Sequence, residues 1–171
     1  MGDDDDLVRA ERDVQARVGD LPIDFTAMAV VSNVFRVANV VRNHMETKVL
    51  GADDLSWTAF TARFVLWVGG DQESRHLAEE CGVSKGTLTG VINTLERREL
   101  VTRSGHPDDG RLVVISLTAT GRQMIRRLFP RFNEDEALVV SRLAEDDRAQ
   151  LAHLWREVLR SPWARRSRQA P

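Results

Sequence analysis

Between residues 24 and 50 the apolar positions fall in two adjacent stripes: Met28, Val31, Phe35, Ala38 and Met45 beside Val30, Val34, Val37 and Val41. Steps of three and four predict a helix, and the double stripe predicts burial on more than one side. So long a helix with two apolar faces suits the spine of a dimer better than the surface of a monomer. Gly51 is expected to close it as a C′ residue. Upstream, Leu7, Val8, Val14, Val18 and Leu21 allow a short helix before Pro22, behind a disordered tail of six residues.

Ser56 reads as the N-cap of a second helix carrying Trp57, Phe60, Phe64, Val65, Trp67 and Val68, broken by Gly69-Gly70-Asp71. Ser74 then caps a short helix, Arg75 to Cys81, with Leu77 and Ala78 inward. After the Gly82-Val83 turn, Ser84 starts another helix to about Arg98, its buried stripe being Leu88, Val91, Ile92 and Leu95. Beyond Leu100 the period changes from helical to alternating. Val101 to Arg103 and Arg111 to Leu117 form a two-stranded hairpin around a turn-rich tip, Ser104 to Gly110. Thr118 opens a long helix running to Leu143, with Pro130 expected to bend it. A last helix, Asp146 to Arg160, is expected to bury Leu151, Leu154, Trp155 and Val158.

Composition narrows the chemistry. The chain has 171 residues, 42% hydrophobic and 29% charged, which is one ordinary globular domain with a core of its own. No apolar run is long enough to span a bilayer and the acidic N-terminus does not resemble a secretory signal, so a cytoplasmic location is expected. A single cysteine, Cys81, excludes an internal disulfide and multi-cysteine metal sites, and is read as a small packed residue rather than a redox sensor. His44, His76, His106 and His153 are scattered, with no nucleophile–base spacing, phosphate loop or metal-ligand pair. No catalytic residue, metal or cofactor is therefore expected, and an enzyme is disfavoured.

The net charge of −2 hides a segregation. Met1 to Asp24 holds eight acids against three arginines, a balance of −5, while Ser84 to Arg131 holds nine bases against four acids, a balance of +5. A basic middle in an acidic chain suggests a surface for a polyanion, although a solvated helix face carries the same signature.

The order of parts from Ser74 to Gly121 separates these readings. A short helix, a glycine turn, a second helix and a basic-tipped hairpin present the second helix to a DNA major groove, roughly 12 Å wide. Its outward residues are Ser84, Lys85, Thr87, Thr89, Gly90, Asn93 and Arg97. Lysine reaches guanine acceptors, asparagine pairs with adenine, and threonine methyls meet thymine methyls. Gly86 and Gly90 weaken a helix by about 1 kcal/mol each relative to alanine, a cost that makes sense where DNA or another helix comes close. Arg103 adds a cation at the base of the hairpin. At the tip, Arg111 suits a minor groove, with Asp109 placed to hold its guanidinium. The plain alternative is that Asp109 and Arg111 form a surface ion pair worth under about 1 kcal/mol.

The stretch from His76 to Val101, HLAEECGVSKGTLTGVINTLERRELV, resembles the winged helix of MarR-type transcriptional regulators. So do Pro107-Asp-Asp-Gly-Arg111 and Ser116-Leu-Thr-Ala-Thr-Gly121, which match that family's wing and the start of its next helix. The resemblance spans roughly residues 24–160. It implies a mainly α fold: a winged helix-turn-helix, with a three-helix core plus a two-stranded β-wing, between long N- and C-terminal dimerisation helices. The chain then divides into an acidic tail and short helix (1–23), a dimerisation spine (24–54), the DNA-binding lobe (55–121), C-terminal dimerisation helices (122–161) and a basic tail (162–171). The resemblance further implies a homodimer on a palindromic operator, acting as a repressor and released by a small aromatic or phenolic effector. The family's second tip arginine is replaced by Gly110.

The helix before Asp24 is similar to an extension in the urate-responsive branch, but it has no tryptophan, and Phe60 and Thr61 stand where that branch has a Trp-acid pair. Urate is thus not expected. The family places its effector pocket between the spine, the following helix and the DNA-binding lobe, which makes His44, Trp57, Phe60, Arg63, Phe64 and Trp67 the candidates. An arginine among aromatics suits an aromatic carboxylate; plain core aromatics, with Arg63 facing solvent and His44 a satisfied interface histidine, are the other reading. Two alternatives to a ligand-released repressor stay open: a winged helix used for protein contacts, and a regulator without an effector.

Overall fold

The computed structural model describes residues 3–105 and 112–164, and these divide into two compact units, Met1–Asn43 and His44–Pro171.

In the first unit, α1 (Asp3–Val18) and most of α2 (Phe25–His44) are joined by a turn in which Leu21 donates to the Val18 carbonyl. Helix α1 begins at Asp3, inside the stretch expected to be a disordered tail. The Asp24 side chain caps α2 by accepting from Ala27 N at 2.9 Å, and Asn33 Nδ2 donates to Glu11 Oε1 of α1 at 3.0 Å. The double stripe forms the expected helix but is not buried within the chain. No residue of α2 is buried, and Phe35 and Val40 are 66% and 68% exposed.

The second unit opens with a π-helical turn, Met45–Leu50, whose Met45, Val49 and Leu50 enter the core. A 3₁₀ turn over Gly51–Asp53 follows. Gly51 is therefore not a left-handed C′ residue: its φ is −61°, and the left-handed position is Asp54, at φ 51°. Widening and then tightening the helix carries the stop three residues further along.

Helix α3 (Trp57–Gly69) is capped as expected by Ser56, whose side chain accepts from Ala59 N. Residues Gln72–Glu73 form a strand, β1, which the alternation did not reveal because two residues carry no period. It pairs with β3 (Val113–Leu117), which also pairs with β2 (Val101–Gly105). The wing is thus part of an antiparallel three-stranded sheet in the order β1-β3-β2. Because β1 occupies Glu73, Ser74 falls inside α4 (Ser74–Glu80) as its first residue and makes no cap, contrary to expectation. Gly82, at φ 65°, makes the turn to α5 (Lys85–Arg97), where Ser84 caps by accepting from Thr87 N.

The α5–β2 turn is made by Glu99 at φ 56°, held where Thr118 Oγ1 donates to its carbonyl. Thr118 also caps α6 (Ala119–Val139) through Gly121 N. Gly121 cannot carry a side chain: a Cβ there would stand 2.0 Å from the Leu100 carbonyl oxygen. Helix α6 runs through Pro130 and stops at Val139, short of the expected Leu143. Helix α7 (Glu145–Arg160) contains no buried residue; Leu151, Leu154 and Val158 are exposed and Trp155 half-buried, against the expectation for that stripe. The core is built by Leu66, Leu77, Leu88, Ile92, Ile115, Ile125 and Leu128.

Candidate nucleic-acid interface

Helix α5 sorts its residues by face. Leu88, Ile92 and Leu95 are buried, while Ser84, Lys85, Thr87, Thr89, Gly90, Asn93 and Arg97 are exposed. Lys85, Thr89 and Asn93, four apart, share one stripe. With Ser74 and Arg75 of α4, Arg103 of β2 and Leu112 and Val113 beside the wing, that stripe lines a cleft of about 500 Å³. Three cations, Arg75, Lys85 and Arg103, and one acid, Glu73, line it, with Arg75 paired to Glu79 and Arg103 to Glu96 at its edge. A shallow cationic concavity floored by a helix has the shape and sign to receive a nucleic-acid backbone and its groove edge.

Strand geometry places Arg103. Its cross-strand partner is the buried Ile115, and Val101 opposite Leu117 lies on the same face, so Arg103 leaves the sheet toward α5. There its Nη1 donates to Glu96 Oε2 at 2.5 Å and its Nη2 to Asn93 Oδ1 at 2.7 Å. Spacing marks Arg103 and Asn93 separately and gives no sign of Glu96, which holds the same guanidinium. Other helix hydroxyls are engaged locally: Thr89 donates to the Lys85 carbonyl at 2.8 Å, and Arg97 Nη2 donates to Thr94 Oγ1 at 3.2 Å.

On the opposite flank of α5, Gly86, Gly90 and Thr94 border a second groove of about 520 Å³ with Ser56 and Arg98. A Cβ at Gly90 would meet nothing within 4 Å, so the fold itself does not require glycine there. Asp109 and Arg111 lie outside the described residues.

The six effector candidates each meet a residue of α6. His44 Nε2 donates to Asp135 Oδ1 of α6 at 2.6 Å. Phe60 stacks on Phe132 at 4.1 Å between centroids, and Trp57 lies 5.8 Å from the same ring. Phe64 and Trp67 both meet Phe129, at 5.0 and 5.7 Å. These rings pack on one another and on α6. Trp67 also borders a cleft of about 580 Å³ with Arg122, Gln123 and Arg126 of α6.

Arg63 does not face solvent. It is 0% exposed, with Nη1 donating to the Met124 sulfur at 2.9 Å and with Nε and Nη2 unpartnered among the described residues. Thioether sulfur is a weak acceptor. Burial first, then the Arg98 charge, lower the Arg63 pKa against an opposing pull from Asp53, to about 10 in all. The Asp53 carboxylate nevertheless accepts from Arg127 at 2.6 Å, while Arg98 donates to the Asp53 and Asp54 carbonyls. The spacing held a signal for this burial, since Arg63 lies four residues after Ala59 and three before Leu66, both buried.

Cys81 is half-buried, and burial followed by the adjacent Glu80 raises its pKa to about 11, which keeps it a thiol. Among the described residues no helix is long and apolar enough to cross a membrane, and no group of three His, Cys, Asp or Glu side chains is placed to hold a metal ion.

Residues 55–113 match the family model described as the MarR family. The chain is 36% identical over 155 residues to the HTH-type transcriptional regulator YwaE of Bacillus subtilis (strain 168), covering 89% of this chain and 91% of that protein. Among solved structures it is similar in fold to the transcriptional regulator PA4135, with a TM-score of 0.69 at 24% identity over 75% of this chain and 93% of that one. It is likewise similar to BpsR of Bordetella bronchiseptica, described as regulated in its DNA binding by 6-hydroxynicotinic acid. There the TM-score is 0.68 at 22% identity, covering 75% of this chain and 97% of that one.

Proposed function

The chain belongs to the MarR family of DNA-binding transcriptional regulators, and from that premise we propose that it is a repressor that binds a palindromic operator as a homodimer and is released by a small aromatic or phenolic effector. The observation that carries the DNA half of this reading is the cationic cleft between α5 and the wing. In it Lys85, Thr89 and Asn93 form one open stripe beside Arg103. Helix α5 enters the major groove, Ser84, Thr87, Gly90 and Arg97 lie along its approach, and Arg111 with Asp109 extends the contact into the flanking minor groove.

The dimer reading rests on α2 and α7, which hold no buried residue and leave Val31, Phe35, Val37, Val40, Leu151, Leu154 and Val158 exposed. A second copy covers them, and two recognition helices about 34 Å apart then meet successive major grooves of a palindrome. The effector reading rests on Arg63 and Trp67 of α3: a buried guanidinium short of acceptors, and an aromatic wall beside two further arginines. An anionic aromatic ligand matches that chemistry. By preferring a dimer whose recognition helices are wrongly spaced, it lowers DNA affinity by the amount of that preference.

The test is a titration against the duplex upstream of the protein's own gene, beside a scrambled duplex, at two salt concentrations. A preference of about 10³-fold or more with a steep salt slope is expected. Arg111→Glu should weaken binding sharply while sedimentation still finds a dimer. No binding at low salt would instead favour a winged helix used for protein contacts.

A further inference from the structure

The Glu96–Arg103–Asn93 network constrains what Asn93 can read. A guanidinium has donors and no acceptor, so the Asn93 atom 2.7 Å from Arg103 Nη2 is the amide oxygen. Glu96 Oε2 holds the same guanidinium at 2.5 Å through Nη1. Arg103 is therefore fixed at both terminal nitrogens, and its side chain is only 28% exposed where it emerges from the inner face of the sheet. With one lone pair of its oxygen engaged, Asn93, which lines the cleft, keeps an Nδ2 group with two hydrogens to donate.

An asparagine that reads adenine uses both atoms, the oxygen accepting from N6 and the nitrogen donating to N7. Here Arg103 already holds one of the two lone pairs of that oxygen and sets the amide plane, so the oxygen is the weaker half toward a base while Nδ2 stays free to donate. We infer that Asn93 reads an acceptor edge, the O6 and N7 side of guanine, and discriminates against adenine at that position, with Glu96 as the positioning residue that sets the choice through Arg103. This rests on the DNA-regulator reading above. Without the Glu96 carboxylate, Arg103 is free to turn toward a phosphate. The Asn93 amide can then rotate about its last torsion, whose wells are broad and roughly two-fold, exchanging oxygen for nitrogen.

Selection of randomised duplexes by the full-length protein, followed by titration of the enriched motif and its single-base variants, tests the inference. One position per half-site should prefer guanine to adenine by on the order of tenfold, and Asn93→Ala should erase that preference. Glu96→Ala, which leaves Arg103 Nη1 without that acceptor, should erase it at the same position while binding the motif at least as tightly as wild type, because a negative charge has left the DNA-facing surface. Arg103→Lys, whose single ammonium lacks the planar fork, should relax the same position. A merely structural role for Glu96 would weaken all duplexes alike and leave the base preference in place, which overturns the inference. Adenine preferred at the Asn93 position, or a motif unchanged by Asn93→Ala, also overturns it and leaves the regulator reading standing. A wild-type selection that enriches no motif overturns both.

Discussion

Helices α5 and α2 have the same kind of sequence, an apolar stripe at helical spacing, and opposite fates. In α5 the stripe is covered by the same chain: Leu88 is 0% and Ile92 1% exposed, because α3, α4 and β2 close over them. In α2 no residue is buried, although its stripe is longer and doubled. A stripe therefore states that a face needs cover without stating what covers it. The polar sides differ too. That of α5 opens on a cationic cleft, so one helix both anchors the lobe and carries the face proposed to meet DNA. Helix α2 has its apolar surface left over, which the proposed dimer uses.

The sharpest break in that comparison is a truncation on the covered side. Leu88→Ala should cost about 2–5 kcal/mol of stability, read from urea unfolding, because the packed lobe cannot fully close the cavity. The matching change on the uncovered side, Phe35→Ala, should leave the fold of the lobe intact by circular dichroism. It should weaken the dimer by about 2 kcal/mol or more, roughly 30-fold in dissociation constant by sedimentation velocity. Equal losses of fold stability in the two variants would mean that α2 is covered within its own chain after all.

Arg63 tests the covered side from the opposite direction. Arg63→Met replaces a buried cation short of acceptors with an apolar chain of similar length and should stabilise the protein by about 1–4 kcal/mol. The sign with pH follows from its depressed pKa of about 10. Below that value Arg63 is charged in both folded and unfolded chains, so the penalty is constant. Only above it does the folded state lose its proton first and the penalty lift. The gain from Arg63→Met should thus be the same at pH 6 and pH 9 in thermal melts.

The smallest effect is the most diagnostic. Gly90→Ala should raise helix stability by about 1 kcal/mol, since the added Cβ meets nothing within 4 Å. If DNA approaches the α5 backbone there, the same variant binds its operator less tightly while melting at a higher temperature. A variant that is both more stable and fully active would show that the glycine serves no contact.

Short-range chemistry was legible before the fold. Ser56, Ser84 and Thr118 all cap the helices expected of them, because each bond runs from a side chain to a backbone N–H three residues on. The exposed face of α5 was legible for the same reason: helical periodicity alone puts Lys85, Thr89 and Asn93 together. Ser74 failed as a cap because β1 precedes it, and a two-residue strand exists only through its pairing with β3. The stop after α2 was misplaced because a π turn followed by a 3₁₀ turn shifts the left-handed residue from Gly51 to Asp54. Of the candidate site, Arg103 was named, but its bonds to Glu96 and Asn93 span seven and ten residues across a turn, beyond any local rule.

Composition, period and spacing determined by themselves that this chain builds a helix-turn-helix with a wing and a cationic middle, because those properties follow from backbone geometry over a few residues. Tertiary structure alone decided which apolar faces stay uncovered, that Arg63 is buried with only a thioether acceptor, and that Asn93 meets Arg103 through its amide oxygen. Each of these depends on where distant side chains meet, and burial and hydrogen-bond direction are properties of that meeting and of no single segment.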